Sequence, residues 1–299
     1  DLSTYLGKNP LIVYPRVPGH EIAGTIEDKG EDVPPSFQTG TPVTVIPYTS
    51  CGRCASCLRG RYNACRYNET MGVQREGAMQ EYIAVPHSKV VMVPGLSLPA
   101  LALVEPLTVG FHAIERARVS EQDKVVVLGS GMIGMGAVIG ACRKSATVIG
   151  VDIDDQKLEV TRKMGAGHTI NSSREDIHSK LSELTGGRGP DVVIEAVGSP
   201  PTYKVAIEEV AFTGRVVCIG YAKDDVALAT RLIVQKELDL MGSRNATPDD
   251  FRRVGDYLRD NSSSARELIT RFISFEESPR AMEEWADNPG KIIKLMLKI

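Results

Sequence analysis

The sequence predicts an α/β protein, a doubly wound parallel-sheet domain inserted into an irregular β-rich domain that carries a metal lobe. Three observations predict it. Residues 124–152 read as strand, glycine turn, helix and strand, with an acid at the far end. Strand and helix patterns alternate from 117 to about 243. Ahead of that region, four of the six cysteines stand between Cys51 and Cys65, a spacing suited to one metal ion.

In chain order, residues 1–48 carry Gly, Pro and short β-type runs at 21–26 and 42–47, the mark of an irregular β domain. The chain opens on Asp1 without an initiator Met, already inside a patterned segment, and reads as a start within a domain. His20 and Glu21 follow Pro18-Gly19. Imidazole and carboxylate both suit zinc, although His20 taken alone reads first as a hydrogen-bonded structural histidine. Cys51, Cys54 and Cys57 are then spaced so that their thiolates wrap one tetrahedral ion, and Cys65 supplies the fourth ligand. A closed four-cysteine set leaves no position for substrate, so a zinc there is structural. Free reduced cysteines in a loop are the plain alternative. Arg53, Arg59, Arg61 and Arg66 make the lobe at about 50–66 basic, but it has few aromatic residues for stacking a nucleic acid.

Residues 72–94 read as further strands and 98–116 as one helix containing Glu105-Pro106-Leu107 and His112. A carboxylate in such apolar surroundings calls for a partner or an ion. His112 reads first as a helix-face histidine with a local partner and second as a ligand.

The stretch 124–152 holds Gly129-Ser130-Gly131-Met132-Ile133-Gly134. The first glycine allows the tight turn, the second lets backbone approach a pyrophosphate, and the third packs helix against strand. The helix start at Met132 and Ile133 offers free N–H groups to phosphates. Asp152 stands where a carboxylate binds the adenosine ribose hydroxyls and repels a 2′-phosphate, which points to NAD over NADP. Strands are expected at 125–128, 148–152, 169–170, 192–196, 216–220 and 238–242, with helices at 132–144, 156–164, 175–185 and 202–211. Val197, Ile219, Gly220 and Ser243 lie at or just past strand ends, where the sheet's C-terminal edge meets a ligand. After Ser243, Arg244, Asn245 and Ala246, Thr247-Pro248 is a helix start with an N-cap and Pro at N1. A helix to about 259, a strand near 268–275, a helix at 276–286 and a strand at 291–297 return the chain to the first domain. The expected domains are 1–115, 116–243 and the return 244–299.

With 42% apolar and 24% charged residues in 299, the composition is that of an ordinary globular protein large enough for two cores. A net charge of -3 provides no basic field for nucleic acid, and no apolar run spans a bilayer. A clustered cysteine quartet argues for a metal more than an oxidising compartment, so a cytoplasmic location is expected.

Together these residues resemble the zinc-dependent medium-chain dehydrogenases along essentially the whole chain. The landmarks are Gly19-His20-Glu21, the cysteine lobe, Glu105-Pro106-Leu107 and the glycine fingerprint. Glu-Pro-Leu resembles the sorbitol and polyol dehydrogenase branch. Val45-Ile46-Pro47-Tyr48 and residues 242–247 resemble its sugar-acid members, which oxidise hexonates such as L-gulonate or L-galactonate at carbon 5. The resemblance implies a GroES-like catalytic domain, a Rossmann NAD-binding domain, and a homodimer or homotetramer. It implies two zinc ions, one structural and one catalytic, the latter held by His20 and Glu21, with Glu105 as a further ligand or as the partner of a zinc-bound water. It places Lys157 beside the adenosine ribose and Arg244, with Asn245, near the substrate. A guanidinium there suits a carboxylate-bearing sugar. The family's first zinc ligand, a cysteine, falls upstream of Asp1, and its relay residue, often histidine, matches Ser3. Plain polyol and L-threonine dehydrogenases remain alternatives, as does a non-catalytic, crystallin-like dinucleotide binder.

Overall fold

The computed structural model describes residues 2–7, 9 and 11–299, leaving aside the side chains of Ser3 and Pro289. The chain divides into two compact units, Asp1–Glu105 with Asn245–Ile299, and Pro106–Arg244.

The first unit opens with short strands, β1 (Ala23–Thr25), β2 (Pro42–Val45), β3 (Tyr48–Thr49), β4 (Glu69–Thr70) and β5 (Val90–Val91). β2 is the middle of a three-stranded antiparallel sheet between β1 and β5. Thr44 on β2 is fully buried and donates its hydroxyl to the Ile22 carbonyl at 2.6 Å. That bond fixes the chain just past His20 and Glu21. β3 and β4 pair antiparallel, Tyr48 opposite Thr70 and Thr49 opposite Glu69, and so tie together the two ends of the cysteine lobe.

The strands expected across 72–94 reduce to β5. Most of this segment is irregular, its backbone bonds going to local turns around Thr70 and, at residues 77–79, to a loop. Gly77 and Met79 donate to the carbonyls of Val17 and Pro18, and Ala78 donates to that of Gly19. The single helix expected at 98–116 is two, Leu98–Ala102 and Val104–Arg116. Pro106 explains the break, since it has no N–H to continue the first helix and is tolerated only in the opening turn of the second.

The second unit holds β6 (Lys124–Leu128), β7 (Thr147–Asp152), β8 (His168–Asn171), β9 (Val192–Glu195), β10 (Arg215–Cys218) and β11 (Asp239–Gly242). They form one six-stranded sheet of order β11-β10-β9-β6-β7-β8, parallel throughout. Val125, Val126 and Leu128 on β6, and Val192, Val193 and Ile194 on β9, are almost wholly buried, as strands covered by helices on both faces must be. Strand order reverses between β6 and β9, the switch point where sheets of this kind take ligands beyond their C-terminal ends. A short helix at Thr230–Gln235 was not expected, because six residues are too few to show a helical period.

The return segment holds helices Pro248–Asp260, Ser262–Glu267 and Ser278–Asp287, with the parallel pair β12 (Arg271–Ser274) and β13 (Leu295–Lys298). The first helix begins as expected. Thr247 caps it, Pro248 follows at N1, and Asp250 completes a capping box. Ser262–Glu267 is helical where no element was expected, since its serines carry little helical signal.

Candidate metal centres and dinucleotide site

In the first unit, His20, Glu21 and Glu105 each offer a ligand atom, and these atoms lie within 4.8 Å of one another. Local glycines make this arrangement possible. A Cβ on Gly77 would stand 2.2 Å from the Pro18 carbonyl oxygen, and one on Gly72 would stand 2.6 Å from the Gly19 nitrogen. Only glycine lets the chain lie this close behind the His20 loop. Glu76 secures the loop's other side by accepting from Arg16 and from the Val17 N–H, both at 2.7 Å. Glu105 comes from the first turn of Val104–Arg116, where the helix dipole favours a carboxylate.

The electrostatics call for a cation. Burial holds the His20 imidazole below its ordinary value, and the neighbouring Glu105 charge acts in the opposite direction. Burial raises Glu105, offset in part by His20 and by the Tyr48 hydroxyl, which donates to it. Among the described residues, His20 Nδ1 is buried with no hydrogen-bond partner. A neutral imidazole beside two carboxylates is a donor set that zinc accepts, so these residues fit the metal.

The lobe's four sulfurs also lie within 4.8 Å of one another. Cys54 Sγ stands 3.5 Å from Cys57 Sγ and 3.8 Å from Cys65 Sγ. These separations are far too long for disulfides. A tetrahedron with zinc–sulfur arms of about 2.3 Å has edges of about 3.8 Å, so the spacing fits zinc. The N–H groups of Cys51 and Tyr67 donate to Cys65 Sγ, each at 3.3 Å. Two short turns, Cys57–Arg59, which ends on Gly60 in the left-handed region, φ 71°, and Tyr62–Ala64, fold the loop back toward Cys65.

In the second unit, Gly129 adopts φ 97°, a value that requires glycine, at the turn leaving β6. A Cβ on Gly134 would meet the Gly129 carbonyl oxygen at 1.8 Å, so the third glycine is demanded by packing. Gly131 differs. A Cβ there meets nothing within 4 Å among the described residues, which leaves room for a ligand at the start of helix Met132–Cys142. No side chain caps that helix start. Asp152 is oriented by three backbone donors, Ser130 N–H at 2.7 Å, Ile153 N–H at 2.8 Å and Asp154 N–H at 3.1 Å. The glycine turn and the acid therefore form one hydrogen-bonded unit.

Around that turn, Met132 and Lys157 are half-buried, and Ile133 and Val197 are exposed. Ile219 is buried and accompanies Gly220 past the end of β10, where a Cβ on Gly220 would stand 2.2 Å from Gly198 N. Ser243 is buried behind β11 and donates its N–H to the Cys218 carbonyl. Arg244 is half-buried. Asn245 spends its amide nitrogen on the Asn63 carbonyl of the cysteine lobe, at 3.0 Å. His112 is buried with an interaction of its own and belongs to neither ligand group. The Ser3 side chain lies outside the described residues.

Sequence reasoning missed two partners of the histidine–glutamate centre. Tyr48 donates to Glu105, and Lys294 forms an ion pair with Glu21. Burial pushes the Lys294 ammonium down to about 7. No local pattern marks either residue, and only tertiary folding brings them in.

Comparisons with known proteins identify the chain's relatives. Residues 1–95 match the alcohol dehydrogenase GroES-like domain and residues 132–260 match the zinc-binding dehydrogenase domain. L-galactonate-5-dehydrogenase of Escherichia coli K12 is 32% identical over 98% of this chain and 86% of its own. An alcohol dehydrogenase of E. coli CFT073 solved with NADH superposes with a TM-score of 0.89, at 28% identity over 99% of this chain and 87% of its own. A zinc-binding dehydrogenase of Sinorhizobium meliloti 1021 solved with NADP has a TM-score of 0.90, at 29% identity over 100% and 87%. The chain belongs to the zinc-type medium-chain alcohol dehydrogenase family. Its relatives in that family include dehydrogenases of polyols, their phosphates and sugar acids. No described helix is long and apolar enough to cross a membrane.

Proposed function

We propose that the protein oxidises a secondary alcohol of a sugar acid or polyol with zinc and NAD, best an L-gulonate- or L-galactonate-type hexonate at carbon 5. The observation that carries this reading is the clustering of the His20, Glu21 and Glu105 ligand atoms within 4.8 Å. A protein that only bound dinucleotide would have no use for that set.

In this reading His20, Glu21 and Glu105 hold the catalytic zinc, and Cys51, Cys54, Cys57 and Cys65 hold a structural one. When bound, zinc supplies the Lewis acidity that acidifies the substrate hydroxyl, and NAD accepts the hydride. The backbone around Gly129, Gly131, Met132, Ile133 and Gly134 receives the pyrophosphate. Asp152 and Lys157 take the adenosine ribose, and the Asp152 charge disfavours a 2′-phosphate. Val197, Ile219, Gly220 and Ser243 line the rest of the cofactor's path. Arg244 pairs with the sugar-acid carboxylate, assisted by Asn245. The hydroxyl proton leaves through water and Glu105, with Ser3 at the position of the family's relay residue.

The test is a panel of L-gulonate, L-galactonate, sorbitol and L-threonine, each with NAD or NADP, on zinc-loaded protein. The expected result is the highest kcat/KM for a hexonate with NAD. Best turnover of sorbitol or threonine would move the substrate assignment. Absence of turnover across polyols and sugar acids would overturn the dehydrogenase reading.

A further inference from the structure

We propose that Tyr48 is a positioning residue for Glu105, holding that carboxylate in the orientation it presents to the metal. The inference rests on the reading of Glu105 as a zinc ligand and adds a residue outside the ligand set.

Three constraints fix the Tyr48 ring. Its backbone lies in β3, opposite Thr70, and the adjacent Pro47 carbonyl accepts from the Met71 N–H at 3.1 Å. Its ring meets Phe251 edge to face, with centroids 6.4 Å apart and an interplanar angle of 77°. Phe251 is itself fully buried on helix Pro248–Asp260. The phenol therefore arrives at a set position, buried, and donates to Glu105 Oε1.

Glu105 needs such a partner. Helix Val104–Arg116 fixes its backbone, but the terminal torsion of a glutamate is broad and leaves the carboxylate plane unset. One directional donor on Oε1 sets the plane. A phenylalanine at position 48 would keep the contact with Phe251, so the hydroxyl is what the packing alone does not require. Outer partners of this kind orient metal ligands, and their loss costs about 10–100-fold in metal affinity or activity.

A purely structural tyrosine would also satisfy a buried acceptor, and the metal site itself separates the two roles. The experiment titrates Zn2+ against a chelator and records the visible spectrum after Co2+ substitution, in wild type, Y48F, E105A and the double variant. Y48F is expected to weaken the His20–Glu21–Glu105 site about 10–100-fold, to shift the cobalt bands, and to leave the four-cysteine zinc in place. In the E105A background, where no acceptor remains at position 105, the same change should have almost no further effect on affinity. Wild-type affinity and spectrum in Y48F would overturn the proposal, as would equal weakening with and without Glu105. Wild-type protein that binds no metal outside the cysteine lobe would overturn the proposed function itself, and this inference with it.

Discussion

The Lys294 ammonium rests against the Glu21 carboxylate, joining the segment just before the last strand to the residue that follows His20. Both side chains are largely withdrawn from water, at 11% and 21% exposure. Removing one partner of such a pair leaves the other charge uncompensated, at a cost of about 3 kcal/mol. Lys294→Met should therefore lose about that much stability in metal-free protein. Zinc should restore part of it, because the ion gives Glu21 a second cation. Urea unfolding with and without zinc measures the difference, and an equal loss in both conditions would contradict a role for Glu21 at the metal.

Gly77 makes a second test of the same centre. Its missing Cβ would stand 2.2 Å from the Pro18 carbonyl oxygen. Gly77→Ala should force the His20 loop to shift, cost about 1–3 kcal/mol, and weaken zinc binding there while the cysteine lobe keeps its metal. Gly30→Ala, where an added Cβ meets nothing within 4 Å among the described residues, is the control and should be neutral.

Some of this was legible in the sequence and some was not, for a physical reason. The glycine fingerprint and Asp152 are read together because a strand, a turn, a helix and the next strand are contiguous. The same holds for Cys51, Cys54, Cys57 and Cys65, whose ligand geometry is local. Tyr48, Lys294 and Gly77 act on residues far along the chain, through single contacts that leave no period and no spacing. The segment 72–94 reads as strands because its apolar residues mimic them, while the backbone of residues 77–79 bonds to the His20 loop and that of 72–75 to local turns.

The proposed preference for NAD rests on Asp152, whose carboxylate is set by the N–H groups of Ser130, Ile153 and Asp154. Asp152→Asn removes the charge and keeps the size. Loss of a charge-assisted hydrogen bond to the ribose should raise the KM for NAD about ten- to a hundred-fold. The KM for NADP should fall, since the repulsion of its phosphate goes. Steady-state kinetics with both cofactors decides, and wild-type protein that uses NADP as well as NAD would contradict the assignment.

The cysteine lobe should be selectively reactive once stripped of metal. The Ser56 hydroxyl and the Cys57 and Arg66 N–H groups hold the Cys54 thiol down to about 5, against an ordinary 9.0. Burial drives Cys57 up to about 12. A depressed thiol contributes its folding advantage fully above pH 9.0 and loses it as the pH falls toward about 5. Alkylation by iodoacetamide after chelation should strike Cys54 before Cys57 at neutral pH and slow as the pH drops through about 5. Zinc should protect both, and mass spectrometry of the digested protein shows the order. Equal labelling would contradict the hydrogen-bond account of the lobe.

Zinc per chain, measured by elemental analysis on the purified protein, tests the ligand assignment most directly. With both ligand groups loaded, the value should be close to two, falling to close to one in His20→Ala while the cysteine lobe stays filled. A value close to one in the wild type, unchanged by His20→Ala, would mean that His20, Glu21 and Glu105 hold no zinc, and would contradict that assignment.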